Sequence, residues 1–330
     1  MKEQNIFIGN TSANGIYHYK FKNGKIYKKY MTSDFERCTY LVNDNQYLYG
    51  VIEIAGTKEE NYGYIVAYKK ENEKLINIDK KPSYGKGPCH IEIDKENNML
   101  FISNYIDGCL SIIKKEYNGT LGKKIYSNIN NDKMSHLHCV KKIMNKSFFI
   151  SVDLGANLII AYEIKEEEII EVSRLKLNSE TDPRHIVIGK DLIYVVTERS
   201  CELYILKFQN RRLKLIDVVS ILPDNTIKNE DYTGCAIKLS KNLKNIYVSV
   251  RGHNSISVFK VQKENVKMIQ NIYCGGDVPR DLELDKTNKY LFSANQNSSD
   301  ISIFKRNKFN GKLKYLYKEE VINPTCIIAE

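Results

Sequence analysis

The chain has 330 residues, which is long enough for one large domain or two ordinary ones, and 42% of them are hydrophobic, which is sufficient for a globular core. No long apolar run is present, which excludes a transmembrane helix and gives no reason to expect a membrane partner. The net charge of +10 comes from lysines that are scattered through predicted turns and mixed with Glu, so we expect an anionic small-molecule ligand rather than nucleic acid.

The eight cysteines lie far apart and form no C-x-x-C pair, which argues against both a zinc ribbon and a disulfide framework. Several of them lie in apolar segments, where a free cysteine behaves as a small buried hydrophobic residue. The first ten residues, MKEQNIFIGN, enter a strand-like segment and lack the features of a secretory signal. We therefore expect a cytoplasmic protein.

Short runs of alternating apolar residues, rich in Ile, Val, Tyr and Phe and separated by Asn, Asp, Gly and Lys, predict β-strands along the whole chain. Three such runs come first: NIFIGN, GIYHYKF and KIYKKYM. Six longer units follow, and they begin with CTYLVND, PCHIEID, LHCVKK, PRHIVIG, GCAIKLS and PRDLELD. A last short segment, PTCIIAE, has the pattern of the start of a further unit.

The spacing of these units is regular. Intervals of 49, 46, 51, 45 and 45 residues separate the opening positions Cys89, His138, Arg184, Cys235, Arg280 and Thr325. Each unit has three clear strands, and a fourth usually follows a turn such as KNGK, YNGT or FNGK, in which Asn-Gly supplies the positive φ of a tight hairpin. Repeats of roughly 40–50 residues with four strands are typical of β-propeller blades.

The two ends of the chain complement each other. The last segment supplies one strand and the first three runs supply three, so together they make one more blade. This pairing closes the ring and leaves no exposed sheet edge at the junction. Because no linker rich in Pro, Gly or Ser divides the chain, we predict an all-β fold, a seven-bladed β-propeller that forms a single domain over residues 1–330.

Polar residues recur where the first strand of a blade begins and where its second strand ends. Because these strands are antiparallel neighbours, both positions lie on the same face of the blade. Arg184 begins a first strand, and Glu198 ends the second strand of the same blade. His138 has the position of Arg184 in the preceding blade, and Arg251 ends the second strand of the following blade. We therefore expect these four residues at one opening of the propeller.

A carboxylate among arginines and a histidine suits acid–base chemistry on an anionic substrate. Arginine binds a carboxylate or phosphate through two parallel hydrogen bonds, and Glu or His can transfer a proton. The alternative is that Glu198 and the arginines form structural ion pairs between blades. Further candidates for substrate contact lie near the same strand ends: His136, Asp153, His185, His253, Arg280, Asn295 and Asn104. For His185 a packing role is the alternative.

Metal and cofactor sites have little support in the sequence. His136 and His138 form an H-x-H pair, which can bind zinc, but no third ligand is evident, so we expect no metal. The motifs G-x-G-x-x-G, Walker A, H-E-x-x-H and G-x-S-x-G are absent, so we expect no cofactor.

The segments SHLHCV, DLGANLIIAYEI, DPRHIVIGKDLIYVVTERS, IYVSVRGHNSISVF and VPRDLELDKTNKYLFSANQNSSDISIF resemble, in order and spacing, the signature segments of the seven-bladed propeller lactonases. That family includes the bacterial propeller-type 6-phosphogluconolactonases and the fungal 3-carboxymuconate lactonising enzyme. The resemblance implies a metal-independent enzyme whose active-site residues are His138, Arg184, Glu198 and Arg251. Two segments depart from the family pattern: Leu137 replaces a Pro, and an acidic residue common in the family is missing near Cys235.

Three functions remain open. The first is hydrolysis of 6-phosphogluconolactone to 6-phosphogluconate, with Arg184 and Arg251 binding phosphate or the oxyanion and Glu198 or His138 activating water. The resemblance then implies a place in the pentose phosphate pathway, and we expect a monomer or weak homodimer. The second is muconate lactonisation or action on another lactone. The third is a non-catalytic propeller scaffold, against which the absence of Trp, and so of a Trp-Asp blade motif, argues.

Overall fold

The computed structural model describes residues 3–32, 34–54, 62–129, 133–143 and 147–330. Across these residues the chain forms β-strands joined by turns, and we find no helix with the length and apolar character needed to cross a bilayer. The chain divides into two compact units. Unit 1 comprises Met1–Ile8, Tyr17–Lys29 and Asn178–Glu330, and unit 2 comprises Gly9–Ile16 and Tyr30–Leu177. The single domain over residues 1–330 stays a prediction.

The strands follow one another at the spacing that the sequence repeat predicts. The first fifteen are β1 (Gln4–Asn10), β2 (Tyr17–Lys22), β3 (Lys25–Met31), β4 (Cys38–Asp44), β5 (Tyr47–Ile52), β6 (Tyr64–Glu71), β7 (Lys74–Pro82), β8 (Pro88–Asp94), β9 (Met99–Asn104), β10 (Cys109–Lys115), β11 (Leu121–Ile129), β12 (Leu137–Lys142), β13 (Phe148–Asp153), β14 (Leu158–Lys165) and β15 (Glu168–Lys176). The others are β16 (Pro183–Ile188), β17 (Ile193–Thr197), β18 (Glu202–Gln209), β19 (Arg212–Ser220), β20 (Thr233–Leu239), β21 (Asn245–Arg251), β22 (Ser255–Gln262), β23 (Asn265–Tyr273), β24 (Pro279–Leu284), β25 (Tyr290–Asn295), β26 (Asp300–Arg306), β27 (Leu313–Glu320) and β28 (Pro324–Ala329).

These strands form seven four-stranded sheets within the described residues. Six sheets contain four consecutive strands each: β4–β7, β8–β11, β12–β15, β16–β19, β20–β23 and β24–β27. The seventh has the order β28-β1-β2-β3. In it Asn5 N donates to Glu330 O and Glu330 N donates to Asn5 O, both at 2.9 Å. The predicted pairing of the last strand with the first three is confirmed.

Burial decreases from the inner strands of a sheet to its fourth strand. β17, with the sequence IYVVT, is buried at every position, because a strand covered on both faces needs a continuous apolar run. β19, the fourth strand of the same sheet, is exposed or half-buried throughout. Val196, Leu203, Val248 and Phe259 belong to one buried cluster that joins this sheet to β20–β23 in unit 1. This core fixes the strand that leads to Glu198.

The first strand of a sheet typically has a β-bulge where it begins. The register of β16 with β17 shifts between Pro183 and His185, so Arg184 between them has no partner residue in the ladder. His138 in β12 and Arg280 in β24 lie at register shifts of the same kind. Because a bulge redirects the side chain at that point, three of the candidate residues are oriented by the same backbone feature.

The cysteines contribute to the interior. All eight lie in the described residues, each is buried, and no disulfide joins them. This agrees with the prediction that they act as small hydrophobic residues in the strands.

Candidate active site

Glu198 follows β17, and each oxygen of its carboxylate binds a different arginine. Arg184 Nε donates to Glu198 Oε2 at 3.0 Å, and Arg251 Nη2 lies 2.8 Å from Glu198 Oε1. Arg184 belongs to the same sheet as Glu198, whereas Arg251 ends β21 in the next sheet of unit 1. The structure therefore brings together these three candidate residues, and the ion pairs between neighbouring sheets that the sequence left open as an alternative are also present.

Arg184 is buried and held from several directions. Its side chain is 3% exposed, and its Nη1 donates to the carbonyl oxygen of Cys235 at 3.0 Å. The same Nη1 lies 3.4 Å from Nε2 of His185, which is also buried. His185 thus contacts the arginine from within the protein, which favours the packing alternative; its substrate contact stays a prediction.

Arg251 has fewer contacts than Arg184. Its side chain is 16% exposed, and Glu198 is its hydrogen-bond partner among the described residues. The Nε atom of Arg251 is buried and has no hydrogen-bond partner there. Glu198, with 26% of its side chain exposed, is the most accessible of the three. The solvent-accessible side chains of the cluster are therefore those of Glu198 and Arg251, and the guanidinium group of Arg251 is incompletely hydrogen-bonded.

The charges around Glu198 determine its protonation. Burial by itself raises the pKa of this carboxyl group, but the positive charges of Arg251, Arg184 and Arg280 outweigh burial and hold the pKa below its usual range. Glu198 is consequently ionised at neutral pH. For Arg251 the two effects have opposite signs: burial lowers its pKa, and the nearby Cys235 and Glu198 raise it by more. The pKa of Arg251 is therefore above its usual value.

Arg280 and His253 belong to the same sequence pattern as this cluster, but their side chains or backbones also make other contacts. Cys235 Sγ donates to the carbonyl oxygen of Arg280 at 3.2 Å, and the charge of Arg280 acts on Glu198. His253 Nδ1 lies 2.7 Å from Ser255 Oγ, and its ring meets Tyr232 edge-on. For His253 these contacts favour a role in the turn after β21, and its contact with substrate stays a prediction.

In unit 2, His136 and His138 lie beside one aromatic ring. The ring of Tyr105 stacks on His136 at 4.6 Å between centroids and meets His138 edge-on at 5.9 Å. His136 Nδ1 also lies 2.9 Å from the carbonyl oxygen of Tyr105. The sequence interpretation missed Tyr105. Its only sequence signal is its place directly after Asn104, at the end of a second strand.

Asp153 holds the segment that carries both histidines. Its Oδ1 accepts hydrogen bonds from His136 N at 2.8 Å and Ala156 N at 2.9 Å, and its Oδ2 accepts one from Ser135 Oγ. Asp153 is 1% exposed. Since both carboxylate oxygens bind this turn, the contacts favour a structural role, and the proposed substrate contact stays a prediction.

Asn104 and Asn295 occupy equivalent positions in different sheets, and both are fully buried. Asn104 Nδ2 donates to Cys109 O at 3.0 Å and Ser111 Oγ at 3.1 Å. Asn295 Nδ2 donates to Asp300 Oδ1 at 2.7 Å and to Ser302 Oγ at 3.0 Å. Each amide therefore ties the end of a second strand to the third strand, which favours structure over substrate binding.

A metal site of the usual composition is not formed by the residues that the structure describes. No group of three or more His, Cys, Asp or Glu side chains is placed to hold an ion. Metal independence of the reaction remains a prediction from the sequence.

Comparison with known proteins establishes the family. A family model described as "Lactonase, 7-bladed beta-propeller" matches residues 5–329. The chain belongs to this family. Its fold is accordingly a seven-bladed β-propeller, as the repeat predicted, and the resemblance seen in the sequence is confirmed. Membership in the propeller lactonases supports a hydrolase that acts on the ester bond of a lactone.

Two curated relatives have the name 6-phosphogluconolactonase. The one from Bacillus subtilis (strain 168) is 25% identical over 335 residues, covering 96% of this chain and 94% of its own. The one from Formosa agariphila is 29% identical over 304 residues, covering 85% and 84%. Among solved structures, a periplasmic gluconolactonase from Pseudomonas aeruginosa matches with a TM-score of 0.91 and 20% identity over 99% of both chains. At that identity the solved structure shows the shared fold alone.

Proposed function

We propose that this propeller lactonase hydrolyses 6-phosphoglucono-1,5-lactone to 6-phosphogluconate. The observation that supports this substrate most directly is the excess of positive charge around Glu198. Three arginine charges act on this one carboxylate, and one of the guanidinium groups has a buried nitrogen without an acceptor. Such a group can bind the phosphate of a sugar phosphate. The names of two relatives point to the same substrate.

The chemistry requires a base, an oxyanion partner and a proton for the leaving group. Water attacks C1 of the lactone and gives a proton to the base, while the carbonyl oxygen becomes an oxyanion. A guanidinium group near that oxygen stabilises it, an effect worth about 3–4 kcal/mol for a well-placed donor. The C1–O5 bond then breaks, and the ring oxygen takes the proton from the conjugate acid of the base. The product is an open-chain carboxylic acid, which releases its remaining proton to water and becomes the carboxylate.

Glu198 is our first candidate for the base. Arg184 binds its Oε2 and holds the carboxylate in place, whereas its Oε1 contacts the more exposed Arg251. Its ionised state at neutral pH is the state that accepts a proton. His138, in unit 2, is the second candidate, since its ring is oriented by Tyr105 and an imidazole transfers protons near neutral pH.

The test is the rate of lactone opening by the purified protein, above the spontaneous rate and with a chelator present. We expect clear turnover, and in Glu198→Gln a loss of about 10²–10⁴-fold in kcat. Glu171→Gln is a matched control, because Glu171 also binds an arginine but is exposed and belongs to unit 2. No rate above the spontaneous one would refute this substrate. Full activity of Glu198→Gln would refute its role as base.

Three further properties are part of the proposal. The protein acts on a small anionic lactone without a nucleic-acid partner, it works as a monomer or weak homodimer, and it is located in the cytoplasm. The mixture of Lys with Glu in the turns supports the absence of a nucleic-acid partner, and the eight cysteines without a disulfide support the location. Gel filtration with light scattering tests the oligomeric state.

A further inference from the structure

Arg184 and Arg251 both bind Glu198, but their remaining contacts differ. Arg184 is nearly inaccessible, and Nε and Nη1 both have acceptors inside the protein. Arg251 is more exposed, and among the described residues its guanidinium group is hydrogen-bonded to Glu198 alone. The two arginines are therefore not interchangeable, although they occupy symmetrical places around one carboxylate.

The unused atom of Arg251 lies on the edge that normally binds an oxyanion group. In a guanidinium group, Nε–H and one N–H of Nη2 point in parallel and together match two oxygens of a carboxylate or phosphate. Glu198 uses Nη2 and leaves the buried Nε without an acceptor. A buried donor without a partner is costly, so a ligand that fills both positions gains an interaction that Glu198 does not provide.

We propose that Arg251 receives the anionic group of the substrate by exchanging its contact with Glu198 for two contacts with the ligand, whereas Arg184 keeps Glu198 in place. The identity of the substrate in this statement rests on the proposed function, but the exchange itself requires only a phosphate or carboxylate group. In the free protein, Glu198 thus fills the position of the ligand.

The exchange also changes Glu198 as a base. Arg251 is the strongest of the charges that lower the pKa of Glu198, and a carboxylate with a lowered pKa is a weak proton acceptor. When a ligand anion neutralises Arg251, burial acts on Glu198 with less opposition, and its pKa rises. The base therefore becomes effective only after the anionic group has bound, which would select phosphorylated over neutral lactones in kcat as well as in KM.

Calorimetric titration with inorganic phosphate, gluconate and 6-phosphogluconate tests the exchange without requiring turnover. Glu198→Gln removes the competing anion, so we expect its Kd for phosphate to fall about tenfold relative to the wild type. Arg251→Gln should raise that Kd by about tenfold or more, and Arg184→Lys should change it by less than about threefold. Thermal unfolding confirms that each variant is folded.

Proton uptake gives a second, independent measurement. Titrations in two buffers with different ionisation enthalpies should show that the wild type takes up protons when phosphate binds at mildly acidic pH, and that Glu198→Gln does not. Gluconate distinguishes the carboxylate from the phosphate as the source of the recognised anion. If only ligands with phosphate bind in this way, the phosphate is the group that Arg251 receives.

The outcomes separate this inference from the proposed function. If Glu198→Gln binds phosphate no more tightly than the wild type, or if Arg184→Lys and Arg251→Gln lose affinity equally, the exchange is wrong even when the lactone is hydrolysed. If the affinity rises as expected but no 6-phosphogluconolactone is turned over, the exchange stands and the substrate is wrong.

Discussion

The backbone N–H of Glu198 donates a hydrogen bond of 2.7 Å to the carbonyl oxygen of Asp182. Asp182 directly precedes the strand that carries Arg184, so this bond ties the end of β17 to the start of β16. On its other side, Glu198 O accepts from Gly234 N of β20 at 2.8 Å. Main-chain hydrogen bonds to the residue before β16 and to β20 therefore fix the backbone of Glu198. Its side chain can exchange partners without loss of position.

Removing the Arg184 guanidinium group should destabilise the fold strongly. Arg184→Met leaves Cys235 O and Glu198 Oε2 without this donor, although Arg251 still binds Glu198 Oε1, and each buried acceptor left unbonded typically costs about 1–3 kcal/mol. The free energy of unfolding in urea measures this cost. Arg174→Met is the control, because Arg174 binds Glu171 at the surface, where a pair contributes about 0–1 kcal/mol. Equal losses in both variants would contradict the burial argument.

The pH dependence of kcat/KM distinguishes the two candidate bases. The pKa of Glu198 in the free protein is lowered, so a rate that depends on its ionised form should stay constant as the pH falls and decrease only at a pH below that at which an ordinary glutamate is protonated. If the base is an imidazole, the decrease comes near pH 6.5 (about the unperturbed value).

Because substrate occupies Arg251 in the complex, we expect the acid limb of the pH profile of kcat to lie at higher pH than that of kcat/KM. Coincident limbs would contradict the exchange.

Gly155 is needed for the close approach of the histidine segment. A Cβ atom at this position would lie 1.9 Å from Met134 O and 2.6 Å from His136 Cδ2. Gly155→Ala should therefore displace His136, cost about 1–3 kcal/mol of stability and lower kcat/KM. In Gly189→Ala the nearest atom would be Leu192 O at 3.0 Å, so this control should remain close to the wild type. Normal kinetics in Gly155→Ala would separate His136 from the reaction.

Asn295 should matter for stability and not for substrate. Asn295→Ala removes the donor that binds Asp300 and Ser302 and leaves these buried groups incompletely bonded, at a cost of about 1–3 kcal/mol. We expect kcat/KM at a temperature well below the unfolding transition to remain within about twofold of the wild type. A large fall in kcat/KM with little change in the unfolding free energy would restore Asn295 as a substrate ligand.

The positions of the strands followed from the sequence because alternation and turn residues are local signals. The predicted ends of second strands at Asp153, Arg251 and Asn295 coincide with the ends of β13, β21 and β25. The predicted openings of first strands lie within two residues of the observed starts: His138 and Arg184 are second in β12 and β16, and Cys235 is third in β20. The sequence repeat is therefore sufficient to locate these strand ends.

The roles of these positions could not be read in the same way. Arg251 and Asn295 both end a second strand, but Arg251 binds Glu198 whereas Asn295 binds its own sheet. The difference depends on which groups the neighbouring strands place within hydrogen-bond distance. The bulge at Arg184 is likewise a property of the pairing between two strands. Sequence alternation alone contains neither piece of information.

The reciprocal bonds between Asn5 and Glu330 have a consequence for the order of folding. These residues are 325 positions apart, whereas the other six sheets each form from consecutive strands. Because the entropy of loop closure grows with chain length and non-local pairing slows folding, the sheet with both chain ends should be the last to form. Until β28 pairs with it, β1 has an open edge that can bind another chain. Refolding at high protein concentration therefore favours association over closure.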